Sequence, residues 1–116
     1  MVFAAVFATA VGLGMIGQWT VSYLSRQIPE LQTEPIRIGF HLAGEAVTAL
    51  ALIIGGVGLL TGQTWGQPAY LVATGMLLYT VIVSPGYFAQ KDQWPMVGLF
   101  AIVLILALIS AALVIA

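Results

Sequence analysis

The 116-residue sequence contains no cysteine, and only 6% of its residues are charged: three Lys and Arg against four Asp and Glu, with a single His. The missing thiols exclude disulfides, thiolate metal sites and cysteine nucleophiles. Three basic residues are too few for a nucleic-acid surface, because affinity for phosphate grows with the number of cations brought to it. A formal net charge of −1 selects no partner. No soluble surface is available either, since 61% of the residues are apolar and the mean hydropathy is +1.09.

Four long apolar stretches remain, and they predict helices over 2–27, 34–61, 68–89 and 95–116. Each approaches the roughly 20 residues that cross a hydrocarbon core. Helices are the expected form, because lipid offers nothing to an unpaired backbone group. The stretches also lack the polar–apolar alternation of a membrane barrel. The first has no basic residue ahead of it and no small-residue cleavage site before Arg26, so it is expected to be a mature helix rather than a removable signal. The predicted fold is all-α: one domain of four antiparallel transmembrane helices in an up-and-down bundle, with the lipid bilayer as solvent.

The few charges orient this bundle. Arg26, Glu30, Glu34 and Arg37 flank the first connection, Lys91 and Asp92 the third, and the Thr61–Pro68 connection carries none. All three basic residues thus lie on one side, which predicts cytoplasmic loops at 28–34 and 90–94 and both termini outside, in the plasma membrane of a prokaryote. Trp19, Tyr23, Trp65, Tyr70, Tyr87 and Trp94 fall toward segment ends and read as headgroup belts.

Small residues suggest how the helices pack. In the second, Gly44, Thr48, Ala51, Gly55, Gly58 and Gly62 recur at spacings of four and three, a seam that lets another backbone approach. Leu42, Ala46, Leu50, Ile53, Val57 and Leu60 are left for lipid. Ala10, Gly14, Gly17, Val21 and Ser25 form a comparable face on the first helix, with Gln18 at its edge. Gly12 to Gly17 also match GxGxxG, but with no strand before them they read as packing glycines, not a dinucleotide fingerprint. The fourth helix offers only Ser110 as a polar group and reads as cladding.

The candidate chemistry centres on Glu45, the only formal charge deep within an apolar run. Such a group costs several kcal/mol unless paired or hydrated, and marks function by default (~2.5–3.5 kcal/mol on insertion scales). His41 lies one turn before it on the same face, and Arg37 one turn before that. Arg37 is expected to snorkel, or to pair with Glu34 or Asp92. Antiparallel pairing brings Gln18 and Ser84 to the level of Glu45, and Ser22 and Tyr87 to that of His41. Pro85 and Gly86 predict a kink or break in the third helix. His41, Glu45, Gln18, Ser84, Tyr87 and Arg37 are therefore the candidates for binding a ligand or proton. One His and one Glu leave a tetrahedral metal site unfilled, so no metal is expected. No catalytic residue or cofactor motif stands out.

Composition and site together suggest a non-enzymatic accessory, assembly or binding protein, as a homo-oligomer or within a larger membrane complex. A small-solute, ion or proton-linked carrier working as a homo-oligomer is the alternative. An intramembrane enzyme acting on a lipid or quinone is a minor third.

Overall fold

A computed structural model describes residues 2–116. Four long helices, α1 (Val2–Leu24), α3 (Pro35–Leu60), α4 (Gly66–Ala89) and α5 (Trp94–Ile115), carry nearly all of the chain, and a single turn, α2 (Glu30–Thr33), lies in the first connection. The long helices have 23, 26, 24 and 22 residues. At about 1.5 Å per residue, each is long enough for a hydrocarbon core about 30 Å thick. All four are also apolar enough to cross it. The bundle measures 44 × 22 × 19 Å.

The helix ends follow from local chemistry. Pro35 and Pro95 sit in the first turns of α3 and α5, where no backbone N–H is needed. The C-termini of α1, α3 and α4 share one device. Arg26, Gly62 and Asp92 adopt left-handed φ values of 56°, 71° and 57°. The N–H after each reaches back five residues, from Gln27 to Ser22, Gln63 to Gly58 and Gln93 to Phe88. This closes the last turn and satisfies carbonyls that the helix leaves orphaned.

Close approaches set the packing and its direction. Gly12 of α1 lies against Ala49 and Ile53 of α3, while Gly56 lies against Ala5 and Thr9, so the two helices run antiparallel. Gly55 meets the Tyr70 backbone and Gly58 meets Gly66, which makes α3 and α4 antiparallel as well. Tyr70 and Ser110 share a hydroxyl hydrogen bond between α4 and α5, and Phe88 and Phe100 pack at the other end with ring centroids 5.6 Å apart. The core joins all four helices through Ala8, Leu52, Tyr70, Leu77 and Ala107.

Two expected faces differ. Gly14, Gly17 and Gly44 have no neighbour within reach of an added Cβ, and Ala10 and Val21 are exposed. The residues that α1 buries are Ala4, Ala5, Phe7, Ala8 and Gly12. Both faces of α1 carry small residues at spacings of three and four, so spacing alone does not choose between them. Helix α3 uses two seams: Thr48, Gly55 and Gly58 toward α4, with Ala51 half-buried, and Ala49 with Gly56 toward α1. Ala46, Leu50, Val57 and Leu60 face outward, but Leu42 and Ile53 are half-buried. Tyr70 is fully buried rather than at a belt, and Ser110 of the supposed cladding helix is its partner. Helix α4 runs unbroken through Pro85.

Candidate functional site

The register of α3 against α4 places Glu45 and Ser84 at one level. Both are buried, with Glu45 5% and Ser84 1% exposed, and the Ser84 hydroxyl donates to Glu45 Oε1 at 2.8 Å. One turn earlier on α3, His41 Nε2 lies 3.6 Å from the same oxygen. That is too long for a hydrogen bond. The nitrogen is buried and has no partner. Among the described residues, the Ser84 hydroxyl thus makes the only hydrogen bond to this carboxylate.

Aromatic rings wall off the imidazole. Trp19 of α1 meets it edge-on at 5.5 Å between centroids, and Tyr87 of α4 lies nearly parallel to it at 6.1 Å. Trp19 also packs on Tyr87 and Phe88. Beyond this box lies a second polar cluster. The Tyr87 hydroxyl donates to Glu30 Oε2 at 3.0 Å, and Lys91 Nζ donates to the Tyr87 hydroxyl at 2.6 Å and meets Glu30 Oε1 at 2.9 Å. Helix α2 is pinned to the end of α4 by this clamp. A cleft of about 510 Å³ opens beside it, lined by Glu30, Glu34, Arg37, His41, Tyr87 and Lys91. Polar groups therefore run inward from Glu30 and Lys91 through Tyr87 and His41 to Glu45. Two lateral grooves also reach Glu45, one of about 300 Å³ between α1 and α3 and one of about 680 Å³ between α3 and α4.

The sequence candidates divide accordingly. His41, Glu45 and Ser84 meet, with Tyr87 stacked on His41. Gln18 does not join them: it donates to Ser22 within α1 at 3.1 Å and lines a separate groove. Its neighbour Trp19 stands there instead, since one residue turns a helix face by about 100°. Arg37 pairs with Glu34 at 3.1 Å at the mouth of the cleft, its side chain 83% exposed. Trp19, Glu30 and Lys91 are site residues that sequence reasoning missed. The signal for the last two was their opposite charge in connections on the same side of the bundle.

The order Ser–carboxylate–imidazole leaves Ser84 engaged by Glu45 rather than by His41, so it is not the arrangement that activates a serine. Among the described residues, no group of three His, Cys, Asp or Glu is placed to hold a metal ion.

The clamp carries its own pH dependence. Burial pushes the Glu30 carboxyl up, but hydrogen bonds from Lys91, its own backbone and Tyr87 outweigh this and hold it below the ordinary 4.5. Burial pushes the Lys91 ammonium down, and the bonds to Tyr87 and Glu30 outweigh that, raising it above 10.5. A depressed carboxyl stabilises the fold above its unfolded value and ceases to as pH falls through the folded one; a raised ammonium does the reverse. The clamp is thus fully formed between about pH 4.5 and about pH 10.5. Amide exchange over α2 is expected to accelerate outside that window, and inside it only in Lys91→Met.

The fold and this buried carboxylate define a small four-helix membrane protein with a single acidic side chain inside its spanning region. The chain belongs to the family described as Domain of unknown function (DUF8058), which matches residues 1–116. No curated protein matches the chain, and no solved structure does.

Proposed function

We propose that this is a non-enzymatic binding protein of the membrane, in which Glu45, His41 and Ser84 hold a proton at the inner end of the cleft. The observation that carries this reading is the buried, unpartnered His41 Nε2, 3.6 Å from a carboxylate oxygen already bonded to Ser84. A buried carboxylate is costly unless neutralised or paired. One proton supplies either remedy, as carboxylic acid beside neutral imidazole or as carboxylate beside imidazolium. Gain or loss of that proton changes the charge at membrane depth by a full unit.

Arg26, Arg37 and Lys91 lie at one end of the bundle, which supports a cytoplasmic cleft, with loops 28–34 and 90–94 on that side and both termini opposite. Among the described residues, the opposite half has no formally charged side chain, and its side-chain hydrogen bonds are made by hydroxyls, as between Tyr70 and Ser110. This supports a one-sided binding site over a path through one copy. The outward small-residue face of α1, with Gly14 and Gly17 open, supports an accessory or assembly role beside a second copy or a larger membrane complex.

The proton reading is tested by thermal unfolding in detergent between about pH 5 and about pH 8, the interval in which imidazoles change charge. The clamp is constant across it. The midpoint of the wild type is expected to move by several degrees, the scale of about 1 kcal/mol in a chain this size, and that of Glu45→Gln to stay level. A pH-independent wild type, or an equal dependence in Glu45→Gln, overturns the reading.

A further inference from the structure

We infer that Glu45 also binds a lipophilic ammonium, which enters from the bilayer through the groove between α3 and α4. The inference rests on the binding reading above and names a ligand class for the same site. The groove has a volume of about 680 Å³. That falls within the range of pockets for small organic ligands, about 300–1,000 Å³. Phe40, Met76 and Tyr79 give it an apolar and aromatic flank, while Thr48, Thr80 and Ser84 add hydroxyls beside Glu45.

Charge decides the sign of the occupant. Among the described residues, Glu45 is the only acidic or basic side chain on the groove wall besides His41. Of the cations at the nearer end of the bundle, Lys91 is engaged by Glu30 and Arg37 by Glu34, and Arg26 does not line the groove. An anion would meet the carboxylate with no cation to offset it. A neutral amphiphile would leave the carboxylate as it is. A cation neutralises it without a proton, and the aromatic rings beside the groove favour positive charge.

The unpartnered His41 Nε2 narrows the class further. As an acceptor in a neutral imidazole, it lacks a donor, which a protonated amine carries and a quaternary cation does not. Proton and ammonium then compete for one carboxylate, so apparent affinity rises with pH. The titratable or charged groups toward this site are Tyr23 on α1, Glu30 on α2, Glu34 just before α3, Arg37 and His41 on α3, and Tyr79, Tyr87 and the adjoining Lys91 on the side of α4.

Three probes with one apolar body test the inference: 4-phenylbutylammonium, 4-phenylbutanol and 4-phenylbutanoate, each titrated by equilibrium dialysis into the protein in lipid nanodiscs. The wild type is expected to bind the ammonium at least about tenfold more tightly than the alcohol or the carboxylate near pH 8, a preference of about 1.4 kcal/mol. Glu45→Gln is expected to lose that preference, and Glu45→Asp to keep part of it. A wild type that binds the ammonium no better than the alcohol overturns the inference, as does an undiminished preference in Glu45→Gln. Should Glu45→Gln fail to fold, the wild-type preference itself decides. It is expected to shrink as the pH is lowered toward about 5, and a constant ratio overturns the inference. Ligand-free unfolding curves keep the two ideas apart. A pH-dependent midpoint with no ammonium preference defeats only the inference, and a flat midpoint defeats the proton reading whichever probe binds.

Discussion

Gly55→Ala is expected to lower stability by about 1–3 kcal/mol, the usual cost of overfilling a packed interior. A Cβ at Gly55 would stand 2.7 Å from Tyr70 Cα and 2.8 Å from Tyr70 N. Those are backbone atoms of the facing helix and cannot swing aside as a side-chain tip can. Helices α3 and α4 would have to separate at the level where Tyr70 bonds Ser110, which also loosens α5. Gly66→Ala should behave alike, because its Cβ would meet the Gly58 carbonyl carbon at 2.5 Å. The same change at Gly14 or Gly17 meets nothing within 4 Å. There alanine gains helix propensity, and stability should hold or rise by up to about 1 kcal/mol. Thermal unfolding of the four variants checks the contrast; equal losses at all four would mean that α1 presents its other face to the bundle.

Glu45→Met is expected to keep the stability of the parent or raise it by about 1–4 kcal/mol, the range seen when apolar residues of similar volume replace buried charge. Ser84 loses its acceptor in this variant, but a helical serine can turn its hydroxyl to the carbonyl four residues back. His41→Leu should act in the opposite direction, since it leaves the carboxylate with Ser84 alone. Its loss should fall below the about 3–5 kcal/mol of a fully buried pair, because the His41 side chain retains 26% exposure. A carboxylate present only to brace the helices predicts the reverse order, with Glu45→Met the weaker protein. Unfolding midpoints of the two variants at neutral pH distinguish these outcomes. Stability gained together with loss of pH dependence would mark Glu45 as a residue kept at a cost to the fold.

Much of this arrangement was legible in the residues. Run length and the lack of charge placed the four spans, and the short connections made neighbours antiparallel. Counting back from the second connection brought Ser84 to the depth of Glu45, where the structure has it. Rotation about the helix axis was not legible. On α1, small residues at spacings of three and four occur on two faces, so the sequence offered Gly14 and Gly17 where the fold buries Ala8 and Gly12. The same turn put Trp19 rather than Gln18 beside His41. Proline chemistry was ambiguous at Pro85, where the missing N–H permits a break but the surrounding turns keep α4 continuous. Helix α2 escaped notice because one turn has no apolar period, and its place is fixed by Lys91 and Tyr87 from a distant part of the chain.

The most direct measurement is an infrared difference spectrum of the protein in lipid between about pH 5 and about pH 8, recorded for the wild type and for Glu45→Gln. The wild type is expected to show pH-dependent bands of the carboxyl group or of the imidazole ring, and these changes should vanish in the variant. A spectrum with no pH-dependent band that requires Glu45 would mean that the Glu45–His41 pair exchanges no proton in that range, contrary to the role assigned to it.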